Sequence, residues 1–71
     1  MTNTQWHRTE VSTETSRFLR GTHTLWSRIM DGEHIFTVRP NGEVPNYGDG
    51  GYFSIASALK VKGMDLRFSN Q

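Results

Sequence analysis

The chain has 71 residues, of which 34% are hydrophobic and 21% are charged, with a net charge of +1 and no cysteine. This length allows one small domain, and the lack of thiols excludes a disulfide framework and a cysteine-ligated zinc site. The near-zero charge disfavours a domain that neutralises many phosphates, and no apolar run is long enough for a membrane span, so we expect a soluble cytoplasmic protein.

Residues 1–22 are rich in Ser and Thr and contain few apolar residues. Thr favours strands, so residues 6–11 predict either an edge strand or a flexible arm. Trp6 and Arg8 place an aromatic ring beside a cation, a pair that is frequent in binding surfaces. We therefore treat both as candidate partner-binding residues, although Trp6 could equally pack back on the domain.

The strongest local pattern is a β-hairpin over residues 23–40. Two strand-like segments flank Asp31-Gly32, a dipeptide suited to the positive φ angles of a two-residue turn. Such a turn pairs Met30 with Glu33 and continues to Leu25 with Val38, and alternation then sorts the side chains onto two faces. The expected core wall holds Leu25, Ser27, Ile29, His34, Phe36 and Val38. The opposite face holds Trp26, Arg28, Met30, Ile35, Thr37 and Arg39.

The segment after the hairpin combines strand-ending and turn residues. Pro40, Asn41-Gly42 and Pro45 end the second strand, because proline cannot donate to a ladder. Residues 46–51 form a glycine-rich loop that lacks the lysine and the hydroxyl of a phosphate-binding loop. We interpret it as a connector or contact loop, with Tyr47 as a candidate binding residue.

A short helix and a last strand complete the expected fold. Ser54 is a suitable N-cap for a helix over residues 55–62, with Phe53 able to pack on Ala58, and apolar residues alternate with polar ones over residues 64–68. The sequence thus predicts an α+β fold: a small antiparallel sheet, made of the hairpin 23–40 plus the C-terminal strand, with one short α-helix packed on one face. We divide the chain into an N-terminal arm (1–22), an α+β domain (23–68) and a disordered tail (69–71).

The ionisable residues show no pattern of a catalytic or metal site. The seven carboxylates fall mostly in turns, loops or exposed strand positions, and the three histidines are far apart in the sequence. Acid–base catalysis needs two groups with displaced pKa values near one substrate, and a metal site needs clustered ligands. We expect no enzyme, no metal and no cofactor.

The outer face of the hairpin carries the best candidate site. Trp26 lies near Arg28 and diagonally from Arg39, with Ile35 beside them, and Trp and Arg are enriched at binding hot spots. These four residues either form an exposed partner-binding surface or are covered by the N-terminal segment or a second layer.

In its small size, its lack of cysteine, its Asp31-Gly32 hairpin and its short helix 55–62, the chain resembles small phage-encoded host-takeover proteins. These include inhibitors or adaptors of host RNA polymerase and anti-CRISPR proteins. The resemblance is one of size and layout over residues 23–68. It implies docking on a larger host protein or ribonucleoprotein complex, with occlusion rather than catalysis, and it transfers no residue role.

Two other functions remain open. The sheet followed by a helix also resembles three-stranded DNA-binding domains of the integrase-arm type, in which Arg28 and Arg39 would approach bases or phosphates. The balanced charge counts against this nucleic-acid interpretation. The third alternative is a structural subunit whose outer face is buried by self-association.

Overall fold

The computed structural model describes residues 3–61. In chain order the elements are β1 (His7–Arg8), α1 (Thr13–Leu19), β2 (His23–Met30), β3 (Glu33–Pro40) and α2 (Ile55–Val61). The strands form one antiparallel sheet in the order β1-β2-β3. Both helices contribute to a core on one face of this sheet. The predicted small α+β fold is confirmed.

The hairpin has the register that its turn predicts. Met30 pairs with Glu33, Leu25 with Val38, and the ladder runs on to His23 and Pro40. Asp31 and Gly32 have φ angles of 54° and 84°, as a turn with two left-handed residues requires. Because side chains alternate along a strand, this register determines which residues face the helices.

The core lies on the expected face of the hairpin, which we call the helix face. Leu25 and Val38 of the sheet pack with Leu19 of α1 and with Ala58 and Leu59 of α2, all of them buried. Burial of such apolar side chains is the main stabilising contribution in a domain of this size.

Two positions of the expected core wall lie near the turn and are less enclosed. Ile29 is only partly buried, and His34 is exposed. The expectation that His34 belongs to the core is therefore wrong. The helical residues of the core cluster pack on Leu25 and Val38, further along the hairpin.

The described part of the N-terminal arm, residues 3–22, contains two elements. β1 pairs with β2 at the sheet edge, and Asn3 and Thr4 extend this contact through hydrogen bonds to Asp31 and Ile29. The helix α1 was not predicted from the sequence, where residues 6–11 indicated an edge strand or a flexible arm. Its caps are Ser12, whose hydroxyl accepts from the Thr15 backbone N–H at 3.1 Å, and the left-handed Arg20.

The end of the described chain contains α2. The Ser57 backbone N–H donates to the Ser54 hydroxyl at 3.1 Å, which confirms the predicted N-cap. Phe53 is 72% exposed, so the expected packing of this ring on Ala58 is wrong. The extension to Lys62, the predicted C-terminal strand at 64–68 and the tail 69–71 lie outside the described residues. Within residues 3–61, the strand that joins the hairpin in the sheet is β1.

Candidate functional site

The sheet face opposite the helices, which we call the loop face, is covered in part by loop 43–51. The Trp6 indole N–H donates to the Asn46 carbonyl at 2.9 Å, and Arg28 Nη1 donates to the Tyr47 carbonyl. Arg39 Nη2 donates to the Asp49 carboxylate at 3.3 Å. These long-range contacts hold the loop against the strands.

Arg39 is the main electrostatic anchor of this loop. Its guanidinium lies 3.4 Å from the Glu43 carboxylate and 3.3 Å from that of Asp49, and it also donates to the Thr37 hydroxyl at 2.6 Å. The same Asp49 oxygen accepts from the Asn46 backbone N–H at 3.0 Å. Arg39 therefore has its charge matched within the chain and performs a structural role.

Arg28 lies beneath the loop, with only 1% of its surface exposed. Its guanidinium carbon is 4.2 Å from the centre of the Tyr47 ring and 5.7 Å from that of Trp6, which gives cation–π contacts to both rings. Its Nε has no hydrogen-bond partner among residues 3–61. Arg28 is a buried cation held by ring faces and one carbonyl.

Gly51 lets the end of the loop approach the sheet. A Cβ at this position would lie 2.9 Å from the Phe36 carbonyl oxygen, 3.1 Å from the Trp6 ring and 3.3 Å from Ile35 Cβ. Tyr52 then exchanges two backbone hydrogen bonds with Phe36 on the side of β3 that faces away from β2. This close fit buries Ile35, which is 3% exposed.

The seven sequence-predicted site residues converge on the loop face but differ in accessibility. Arg28, Ile35 and Trp6 are buried, so Arg28 and Ile35 do not form the exposed surface that the sequence allowed. The cause is the cover formed by the N-terminal segment and loop 43–51, an alternative that the sequence left open. Arg8 and Tyr47 are exposed, and Trp26 and Arg39 are partly buried.

Two open grooves flank Val44 on this face. The Trp26 groove, of about 310 Å³, is lined by Arg8, Thr24, Trp26, Gly42, Glu43 and Val44. The Tyr47 groove, of about 340 Å³, is lined by Gln5, Trp6, Val44, Pro45 and Tyr47. We call the two grooves together the Val44 surface. Val44 and Tyr47 are 64% and 57% exposed, so apolar and aromatic surface is accessible on either side of the loop.

Val44 is the member of this surface that sequence reasoning missed. It stands between Glu43 and Pro45 after a strand that proline ends, where an isolated apolar residue gives no periodic pattern. The available signal is its position next to a glycine-rich loop, which is a frequent location for contact residues.

The acidic and histidine side chains of the described residues form no metal-binding group at the grooves. Within residues 3–61, no three His, Asp or Glu side chains form a group able to hold a metal ion. Glu43, which lines the Trp26 groove, and Asp49 are both engaged by Arg39. Among these same residues there is no helix with the length and apolar character to cross a membrane.

Comparisons with protein-family models, with curated proteins and with solved structures found no match to this chain. The geometry of the loop face is therefore the basis for proposing a function.

Proposed function

We propose that this protein is a small protein-binding modulator that docks on a larger enzyme complex through the Val44 surface and acts by occlusion rather than catalysis. A host RNA polymerase or a CRISPR effector is the class of target that the resemblance suggests. The observation that carries the proposal is the pair of grooves around exposed Val44, with Trp26 in one and Tyr47 in the other.

Anchoring of the loop supports a binding role. Arg39, Arg28 and Trp6 fix loop 43–51 at several points, so the groove walls are held before a partner arrives. A pre-organised surface loses less conformational entropy on binding than a mobile one. Tyr and Trp rings on such a surface are typical anchors of protein interfaces.

The distribution of cations on the loop face favours a protein partner over a nucleic acid. Arg28 is buried, and Arg39 is paired with two carboxylates, so neither is available to phosphates. Arg8 is the exposed arginine of the Trp26 groove. Phosphate contacts dominate nucleic-acid affinity, and one exposed arginine supplies few of them.

The test is a tagged pull-down from the native host's lysate, with and without nuclease, using the wild-type chain and two variants. Val44→Ser removes the apolar side chain between the grooves. Phe53→Ser removes a similarly exposed apolar side chain outside the Val44 surface and serves as the control. We expect a stoichiometric protein complex that survives nuclease, weakens about fivefold or more with Val44→Ser and persists with Phe53→Ser.

Two results would contradict the proposal. Capture that disappears with nuclease would indicate that the protein binds nucleic acid instead. A complex that Phe53→Ser weakens and Val44→Ser does not would place the binding site outside the Val44 surface.

A further inference from the structure

The charges around the Val44 surface are unevenly matched. Arg39 has two carboxylates, Glu43 and Asp49, within 4.0 Å. Among residues 3–61, no carboxylate lies within that distance of Arg8 or Arg28. Arg8 is exposed in the wall of the Trp26 groove, and Arg28 lies under the loop between the rings of the Tyr47 groove. The acidic groups of the loop are thus occupied, whereas the exposed Arg8 has no carboxylate beside it among residues 3–61 and is accessible to a partner.

Hydrogen-bond donors show the same imbalance. Trp26 Nε1 and Arg28 Nε are buried and have no acceptor among the described residues. The two residues are alternate positions of β2, so both side chains extend from the loop face, with their Cα atoms about 6–7 Å apart. A buried donor without an acceptor is unfavourable. Both donors are enclosed by the fold, so the unmatched group that a partner can reach is the Arg8 guanidinium, whose complement is a carboxylate.

The grooves are open, and the lining of the Trp26 groove combines apolar surface with a charge. Sites for small molecules usually enclose about 300–1,000 Å³, and each groove is at the lower end of this range and open to solvent. Trp26 and Val44 provide the apolar wall of the Trp26 groove, and Arg8 provides a charge in the same groove. One groove can thus contact an apolar side chain and a neighbouring carboxylate.

We propose that the Val44 surface binds an acidic segment of the protein partner, which places a carboxylate on the Arg8 guanidinium and an apolar side chain against Trp26. The proposal rests on the proposed function and adds the chemistry of the partner. A nucleic acid shares the negative charge but lacks the apolar side chain, so the two are separable by experiment.

The experiment is a titration of the full ¹⁵N-labelled chain, followed by NMR. The chain has two tryptophans, so the indole N–H signals of Trp6 and Trp26 report on the two grooves separately. The probe is a capped peptide of glutamates around one central leucine. The comparisons are the same peptide with each glutamate replaced by glutamine, which we call the glutamine twin, and an oligothymidylate. We expect the acidic peptide to shift the Trp26 signal saturably and more strongly than either comparison.

Matched arginine variants test the role of Arg8. Arg8→Gln removes the exposed groove cation, and Arg17→Gln removes an equal charge from α1, which packs on the helix face. An exposed ion pair contributes little, so we expect Arg8→Gln to weaken binding about two- to fivefold and Arg17→Gln to leave it unchanged. An equal loss in both variants would show general charge attraction and overturn the proposal.

The remaining outcomes separate this inference from the proposed function. If the glutamine twin binds as well as the acidic peptide, or if no probe shifts the Trp26 signal, the acidic-partner inference is wrong. A nuclease-resistant complex that depends on Val44 would still support the binding function in that case. If oligothymidylate gives the stronger, Arg8-dependent shift, both proposals fail in favour of nucleic acid.

Discussion

Replacement of Gly51 by alanine tests whether loop 43–51 is fitted against the sheet. The added Cβ would lie 2.9 Å from the Phe36 carbonyl oxygen, a backbone atom that also bonds to the Tyr52 N–H. Overpacking of this kind costs about 1–3 kcal/mol. Gly51 does not have a positive φ, so alanine fits the backbone conformation there. Alanine also lowers the conformational entropy of the unfolded chain, which stabilises the folded state by about 0.4–1 kcal/mol. We expect a net loss of about 1–2 kcal/mol.

Thermal unfolding followed by circular dichroism measures this loss. In a domain of this size, 1 kcal/mol corresponds to about 4–8 °C, so Gly51→Ala should lower the Tm by about 4–16 °C. Gly50→Ala is the matched control, because a Cβ there meets nothing within 4 Å and the residue also lacks a positive φ. Equal melting temperatures for the two variants would refute the close approach of the loop to β3.

Two further substitutions address the turn and the buried cation. Gly32→Val should destabilise the hairpin by about 1–2 kcal/mol, because a β-branched residue resists the φ of 84°, and an unchanged Tm would show that the turn is wrong. Arg28→Met should keep or raise the Tm, because it removes a desolvated charge that has no carboxylate within 4.0 Å among residues 3–61. A fall in Tm of more than 10 °C or so would show that the guanidinium contacts are a major source of stability.

The hairpin was predictable because its determinants are local. Asp31-Gly32 sets the turn, the turn sets the register, and the register assigns Leu25 and Val38 to one face. Ser54 likewise caps a helix that begins at the next residue. Each of these inferences depends on residues close together in the chain.

The helix α1 was missed although local signals for it exist. Ser12 precedes Thr13–Leu19 as an N-cap, and Arg20 ends the helix in a left-handed conformation. The intervening Thr and Ser residues have weak helix propensity and favour a strand or an irregular arm instead. A helix of about two turns depends on tertiary packing, here that of buried Leu19 in the core.

The cover on the loop face could not be predicted from periodicity. Alternation places Arg28 and Ile35 on the face opposite the core, which an isolated hairpin would expose. Their burial depends on contacts such as that between Trp6 and Asn46, which are 40 positions apart. A pattern in the sequence shows which side of a strand a residue occupies, whereas only the folded chain shows what lies over that side.

The exposure of Val44 is not explained by the stability of the loop. The loop is fixed by the ion pairs of Arg39 and by the close fit of Gly51 against the sheet. Two loop carbonyls also accept hydrogen bonds from the side chains of Trp6 and Arg28. Full burial of a valine side chain stabilises a fold by about 1.5–3 kcal/mol, but Val44 is 64% exposed and forgoes most of that stabilisation. Val44→Ser should therefore change stability by less than about 0.5 kcal/mol. A large loss of binding in that variant would assign the side chain to recognition, since folding does not require it.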